Sequence, residues 1–216
     1  MLTHSQARVV YDRLGAKQDQ QAFYEAPAFA ALLHHGKWQE ASRVFEVGCG
    51  TGSFAQTLLN NHLAPAALYW GMDQSPIMAE LAAKRLASFG GRAAVLLSGG
   101  ALQLLAADQS IDRVVANYVL DLLSATDIRH FVNEAHRVLR PDGLLCLTSL
   151  THGDTALAQL VMWSWQQVYH LQPARVGGCR PIRLTDYLDA SQWRLRHIEV
   201  ITTWGLASEV VVAASR

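Results

Sequence analysis

Residues 44–55, VFEVGCGTGSFA, decide the fold. A short apolar run, Val44–Val47, stops at Gly48-Cys49-Gly50-Thr51-Gly52. A stretch from Ser53 to His62 follows, with Phe54, Leu58 and Leu59 on one side. The order reads as strand, tight turn, helix. Glycines there let the backbone turn sharply and let a ligand come close, because no Cβ intervenes. Alone, such a loop is shared by several nucleotide-binding folds. Two neighbours narrow the choice. The dinucleotide fingerprint wants a glycine three residues after its second glycine, and here that position is Ser53. Glu46 lies two residues before Gly48. A carboxylate at that place repels a pyrophosphate and suits a ligand that carries an ammonium and a sulfonium.

Outward from the loop the chain alternates strand and helix. Leu68–Met72 reads as a second strand, closed by Asp73. Pro76 stands where a first helical turn begins, and Ile77–Phe89 reads as helix. Ala93–Leu97 and Arg113–Asn117 read as strands. Thr126-Asp127 reads as the cap of a helix to about Leu139, stopped by Arg140-Pro141-Asp142-Gly143, before a fifth strand at Leu144–Leu150. Such alternation predicts a parallel sheet covered on both faces. After Thr151 the pattern changes. A helix from Asp154 to His170 leads into the loop ARVGGCRP (174–181). Two strands, Trp193–Thr202 and Glu209–Ala213, then flank Trp204-Gly205, and so short a turn implies an antiparallel hairpin.

Composition bounds the function. Half of the 216 residues are hydrophobic, which supports a sizeable core. Lys and Arg number 18, Asp and Glu 18, so the formal net charge is zero. That balance argues against a nucleic-acid surface. No apolar run reaches the roughly 18 residues of a spanning helix. The N-terminal MLTHSQARVVYDRLG lacks the features of a signal peptide. Cys49, Cys146 and Cys179 are odd in number and widely spaced. They read as reduced thiols of a cytoplasmic protein, and no metal site is expected.

The segment VFEVGCGTGSFA resembles the first motif of the class I S-adenosylmethionine-dependent methyltransferases. Asp73, in YWGMDQSP, matches the acidic residue that family carries at the end of its second strand. IDRVVANYVLDLL (111–123) is similar to its fourth-strand motif, and RVLRPDGLLCLTSL (137–150) to the motif leading into its fifth strand. The resemblance covers roughly residues 40–150 in order and spacing. It implies an α/β fold: a Rossmann-like, seven-stranded, mostly parallel sheet with helices on both faces and the last strand antiparallel. It implies one methyltransferase domain over 1–216, with a helical lid at 1–40, a cofactor-binding core at 41–150, and a substrate-side helix, loop and hairpin at 151–216. S-adenosyl-L-methionine is then the cofactor. Its expected contacts are Glu46, Gly48, Cys49, Gly50, Gly52, Asp73, Gln74, Gly100, Ala101 and Asn117. A carboxylate at Asp73 can accept both ribose hydroxyl protons. Where relatives place an Asp against the adenine amino group, aligning back from Ser110-Ile111-Asp112 puts Gly100, leaving the backbone N–H of Ala101 as donor.

The acceptor is less legible. Methyl transfer needs an acceptor atom held in line behind the sulfonium, and a base only if that atom is protonated. Tyr11, Asp121 and His152 are the candidate catalytic side chains; lid packing, surface exposure and a solvated loop are their structural alternatives. On the helix after Asp154, Leu157, Leu160, Val161, Val168 and Leu171 form one apolar stripe, expected in the core. Met162, Trp165 and Tyr169 form a second, expected to wall a pocket or add to the core. Arg175, Arg180 and Arg183 flank the late loop and could hold an anionic group. A small or amphipathic, lipid-like acceptor is the expectation, with a homodimer allowed. Two rivals remain: a non-catalytic S-adenosylmethionine-binding protein, and an NAD(P)-dependent oxidoreductase.

Overall fold

A computed structural model describes residues 1–98 and 103–216. The strands are β1 (Arg43–Val47), β2 (Leu68–Asp73), β3 (Ala93–Leu97), β4 (Ile111–Asn117), β5 (Leu139–Leu150), β6 (Trp193–Thr203) and β7 (Leu206–Ser215). They form one sheet in the order β3-β2-β1-β4-β5-β7-β6. β1 to β5 pair in parallel, and β7 runs antiparallel to both β5 and β6. This is the expected Rossmann-like architecture. Its last strand slots between β5 and β6, so β6 becomes an edge.

Helices α1 (His4–Leu14), α2 (Ala22–His35), α3 (Ser53–Asn61), α4 (Pro76–Leu86), α5 (Ala125–Val138) and α6 (Ala156–Leu171) cover the sheet. Successive residues of a strand face opposite ways, so near-continuous apolar strands supply two cores. Val44, Val115, Cys146 and Val212 pack on one side with α2 and α3. Phe45, Val114, Leu145 and Val211 pack on the other with α5. α5 begins at Ala125, its cap falling two residues before the expected Thr126. Ser124 is its cap, and the Ser124 hydroxyl accepts from the Asp127 backbone N–H at 3.1 Å. Arg140–Gly143 is not a separate turn before β5. β4 pairs with β5 at Ile111↔Leu139 and resumes at Arg113↔Leu144, so these four residues form an excursion within one strand. Pro141 has no N–H to donate, and Asp142 has φ 60°, which no ladder residue adopts.

The prediction for α6 is corrected. Ala158, Met162 and Tyr169 are its buried residues, with Trp165 packed against the same core. The stripe expected in the core is largely exposed instead, Leu157 at 67%, Leu160 at 60% and Leu171 at 82%. Two contacts select the face. The Trp165 indole N–H donates to the Cys179 carbonyl at 3.0 Å. The loop before the helix also approaches so closely that a Cβ on Gly153 would come within 2.4 Å of Ala158. Both stripes are apolar, so periodicity alone does not choose between them.

Candidate functional site

The glycine loop is anchored by β2. The backbone N–H groups of Gly48 and Cys49 both donate to the Met72 carbonyl, at 2.7 and 3.1 Å. Gly48 has φ 65°, and a Cβ there would sit 2.3 Å from Val119. Conformation and close approach both demand glycine at this position.

Two carboxyls converge on the loop from the ends of neighbouring parallel strands. Asp73 accepts from the backbone N–H of Gly50 at 2.9 Å and of Ser75 at 2.8 Å. Burial raises its carboxyl above the usual range, and these donors oppose the rise. Each oxygen retains a further lone pair for a ligand hydroxyl. Glu46 is buried, with the Tyr69 hydroxyl donating to it at 2.6 Å and the Asn117 amide at 3.2 Å. Thr148 in turn donates to Asn117 at 2.9 Å. Burial pushes Glu46 up to about 7, against its two hydrogen bonds. Among the described residues its hydrogen-bond partners are neutral. A buried carboxyl of this kind is matched by a cationic ligand group.

The loop separates two clefts. One encloses about 690 Å³, partly open to solvent, between the strand ends and the N-terminal helices. Gly48, Gly50, Asp73, Gln74 and Asn117 line it, together with Tyr11 and Gln18. The other encloses about 1040 Å³, also partly open. Glu46, Cys49, Gly50 and Asn117 reach it from the loop side, and Ala22, Glu25, Ala26, Phe29, Ala30 and Leu33 of α2 wall it. Burial pushes the Glu25 carboxyl up to about 7. Gly52 lines neither cleft; its φ of 77° opens α3. Gly100 and Ala101 lie outside the described residues.

The candidate catalytic residues separate. Tyr11 faces the first cleft, its hydroxyl 3.8 Å from Cys179 Sγ, and burial holds its phenol well above the ordinary value. It is therefore a neutral hydrogen-bonding group at any ordinary pH. Asp121 is fully buried and lines neither cleft. One of its oxygens accepts weakly from the Leu150 N–H at 3.4 Å, the other has no partner, and burial pushes the carboxyl up to about 7. His152 is exposed and also lines neither cleft. Arg180 donates to the Leu123 carbonyl instead of facing a ligand.

Sequence reasoning missed the clamp that seats the N-terminal segment on the loop. Ser75 donates to Asp12 of α1 at 2.5 Å. Thr51, within the glycine loop, donates to Asp19 at 2.6 Å, and Arg85 of α4 bonds Thr51 at 2.7 Å and Asp19 at 2.6 Å. Although burial opposes it, the hydrogen bonds from Arg85 and Thr51 hold the Asp19 carboxyl below its ordinary value. Nothing in the spacing of these five residues signals that they meet. Gln18 is a second omission. Its amide oxygen is buried without a partner, and a Cβ on Gly50 would come within 2.9 Å of it.

A mostly parallel seven-stranded sheet with β7 inserted beside β5, a glycine loop after β1 and an acid at the end of β2 together define a class I methyltransferase fold. Comparison with known proteins agrees. Residues 45–145 match the family model of a methyltransferase domain. A malonyl-[acyl-carrier protein] O-methyltransferase of Erwinia pyrifoliae is 28% identical over 76% of this chain and 57% of its own length. A demethylmenaquinone methyltransferase of Geobacillus kaustophilus is 24% identical over 74% of this chain and 67% of its own length. The chain thus spans between half and two thirds of these curated relatives. Among solved structures, the methyltransferase bound to the Haloferax volcanii Trm112 activator superposes with TM-score 0.71 at 15% identity, over 97% of both chains. The N-methyltransferase NodS of Bradyrhizobium japonicum gives 0.66 at 15% identity, over 89% of this chain and 96% of its own. Residues 45–145 thus carry a methyltransferase domain, and the fold is that of the class I S-adenosylmethionine-dependent methyltransferases. S-adenosylmethionine is the cofactor of such methyltransferases, and the two carboxyls beside the glycine loop, Asp73 with lone pairs left for hydroxyl donors and Glu46 with neutral partners, are chemically suited to its ribose and ammonium groups.

Proposed function

We propose that this chain methylates a small, amphipathic acceptor from S-adenosylmethionine, and that the acceptor enters against α2. S-adenosylmethionine supplies a methyl group made electrophilic by its sulfonium. Glu46, held by Tyr69 and Asn117, binds the amino-acid end of the cofactor. Asp73 takes the ribose, Gln74 flanks it, and the backbone of Gly48, Cys49 and Gly50 lies along the cofactor. Gly52 shapes the turn without touching it. The observation that carries the acceptor reading is the α2 wall, where Ala22, Ala26, Phe29, Ala30 and Leu33 present small and apolar side chains beside a single carboxyl, Glu25. Such a wall gives an apolar body a surface to lie on and one carboxyl to orient it. Rate then comes from position more than from a dedicated base.

The curated relatives carry names with very different acceptors, among them a tRNA N(3)-methylcytidine methyltransferase of Drosophila melanogaster. Formal neutrality of this chain favours a small acceptor over RNA. The test is release of S-adenosylhomocysteine from S-adenosylmethionine with three acceptor pools: amphipathic metabolites, acyl-carrier-protein thioesters and tRNA. Turnover with the first pool, lost in Phe29→Asp, is expected. Turnover confined to tRNA overturns the acceptor class, and no turnover with any pool favours a binding protein.

A further inference from the structure

Three side chains meet away from both clefts. His35 is the last residue of α2, and His197 and Glu199 lie two apart on the edge strand β6. The rings of His35 and His197 stack with centroids 3.5 Å apart and planes 12° apart. One ligand atom from each of the three lies within 4.8 Å of the others. Nε2 of His197 is 3.0 Å from Oε1 of Glu199 without forming a hydrogen bond, and among the described residues this buried nitrogen has no hydrogen-bond partner. A buried polar atom left unpaired costs stability unless something completes it.

The geometry points to a binding site for one divalent transition cation of the zinc type, held by His35, His197 and Glu199. Two imidazoles with one carboxylate are a nitrogen-rich set that suits zinc; magnesium and calcium favour all-oxygen shells. A tetrahedral zinc with bonds near 2.1 Å places its ligand atoms about 3.3 Å apart. Stacked rings aim their nitrogen lone pairs in parallel planes, so binding requires side-chain rotation that opens the stack and draws the three groups in. A bound cation would tie the end of α2 to β6. Because α2 walls the second cleft, the cation would also steady that wall. The ligands come from distant parts of the chain, so no spacing motif announces them. This inference does not depend on the acceptor or on methyl transfer.

The test is calorimetric titration of zinc chloride into the full chain after chelator treatment, at pH 7.5. One equivalent is expected to bind and to raise the melting temperature. His35→Ala and Glu199→Gln are each expected to weaken binding by roughly 10–100-fold or more. His170→Ala, on the exposed side of α6, leaves it unchanged. Absence of a one-equivalent event overturns the proposal, as does a site that both variants leave within twofold of the parent. Far-UV circular dichroism checks each variant's fold. If His35→Ala fails to fold, Glu199→Gln on the half-exposed strand edge decides the matter.

Discussion

The glycine loop and α6 were read from the sequence with unequal success. In the loop, local stereochemistry governs. Gly48 must take φ 65° under Val119, and the carboxyls flanking the loop sit at strand ends that pairing with β1 brings together. In α6 two apolar stripes compete, and only contacts with Cys179 and the Gly153 loop settle which one is buried. The lesson concerns range. Constraints between near neighbours can be read from residue types, and constraints between distant segments cannot.

Four experiments would break or sharpen this contrast. The largest effect is expected at Met162, the most deeply buried large side chain of α6. Met162→Ala should cost about 2–5 kcal/mol in urea unfolding. A loss near zero would mean that the buried face has been misidentified. Next comes Asp73→Asn, which keeps one carbonyl acceptor for the loop and removes the charge. Affinity for S-adenosylhomocysteine should fall by roughly 10–100-fold, matching about 1.5–3 kcal/mol for charge-assisted hydrogen bonds. Unchanged affinity in calorimetry would detach Asp73 from the cofactor.

The third experiment varies pH. Glu46 stands near 7 in the folded chain against an ordinary value of 4.5. The folded state therefore binds the extra proton between those values, and the Glu46 contribution to stability of the ligand-free chain declines as pH rises from 4.5 through 7. A ligand ammonium needs the ionised form, so cofactor affinity should move the other way and drop roughly tenfold from pH 8 to pH 6. Glu46→Gln should flatten that profile; a slope that survives it assigns the proton to another group. The smallest effect belongs to the outer stripe of α6. Leu157→Ser should change stability by less than about 0.5 kcal/mol. A loss as large as that of Met162→Ala would erase the difference between the two faces.

Much of the fold was readable for reasons that these residues make plain. Glycines after Val47, Pro76 at the head of α4 and the two-residue turn at Trp204-Gly205 each restrict the backbone locally. The two positive φ values of that last turn, 53° and 83°, produce the hairpin. The extent of β5 was less readable, because pairing with Ile111 extends the strand past a proline that normally ends one. Of the acceptor candidates, Tyr11 reached a cleft, while Asp121 and His152 did not. Asp121 lies close behind the cleft wall, buried below Tyr11 and Tyr118, and His152 lies exposed. Depth and orientation belong to packing.

By itself the sequence determined the parallel α/β sheet, the glycine loop, and the acids Glu46 and Asp73 beside it. Each is a matter of residue type at short spacing, where glycine stereochemistry and charge act directly. Only the tertiary structure decided that α2 walls a cleft, that Asp12 and Asp19 clamp the N-terminal segment to Ser75, Thr51 and Arg85, that α6 turns its leucines outward, and that His35 meets His197. Those contacts join residues far apart along the chain. Their partners are chosen by how helices settle on the sheet, and no local pattern carries that choice.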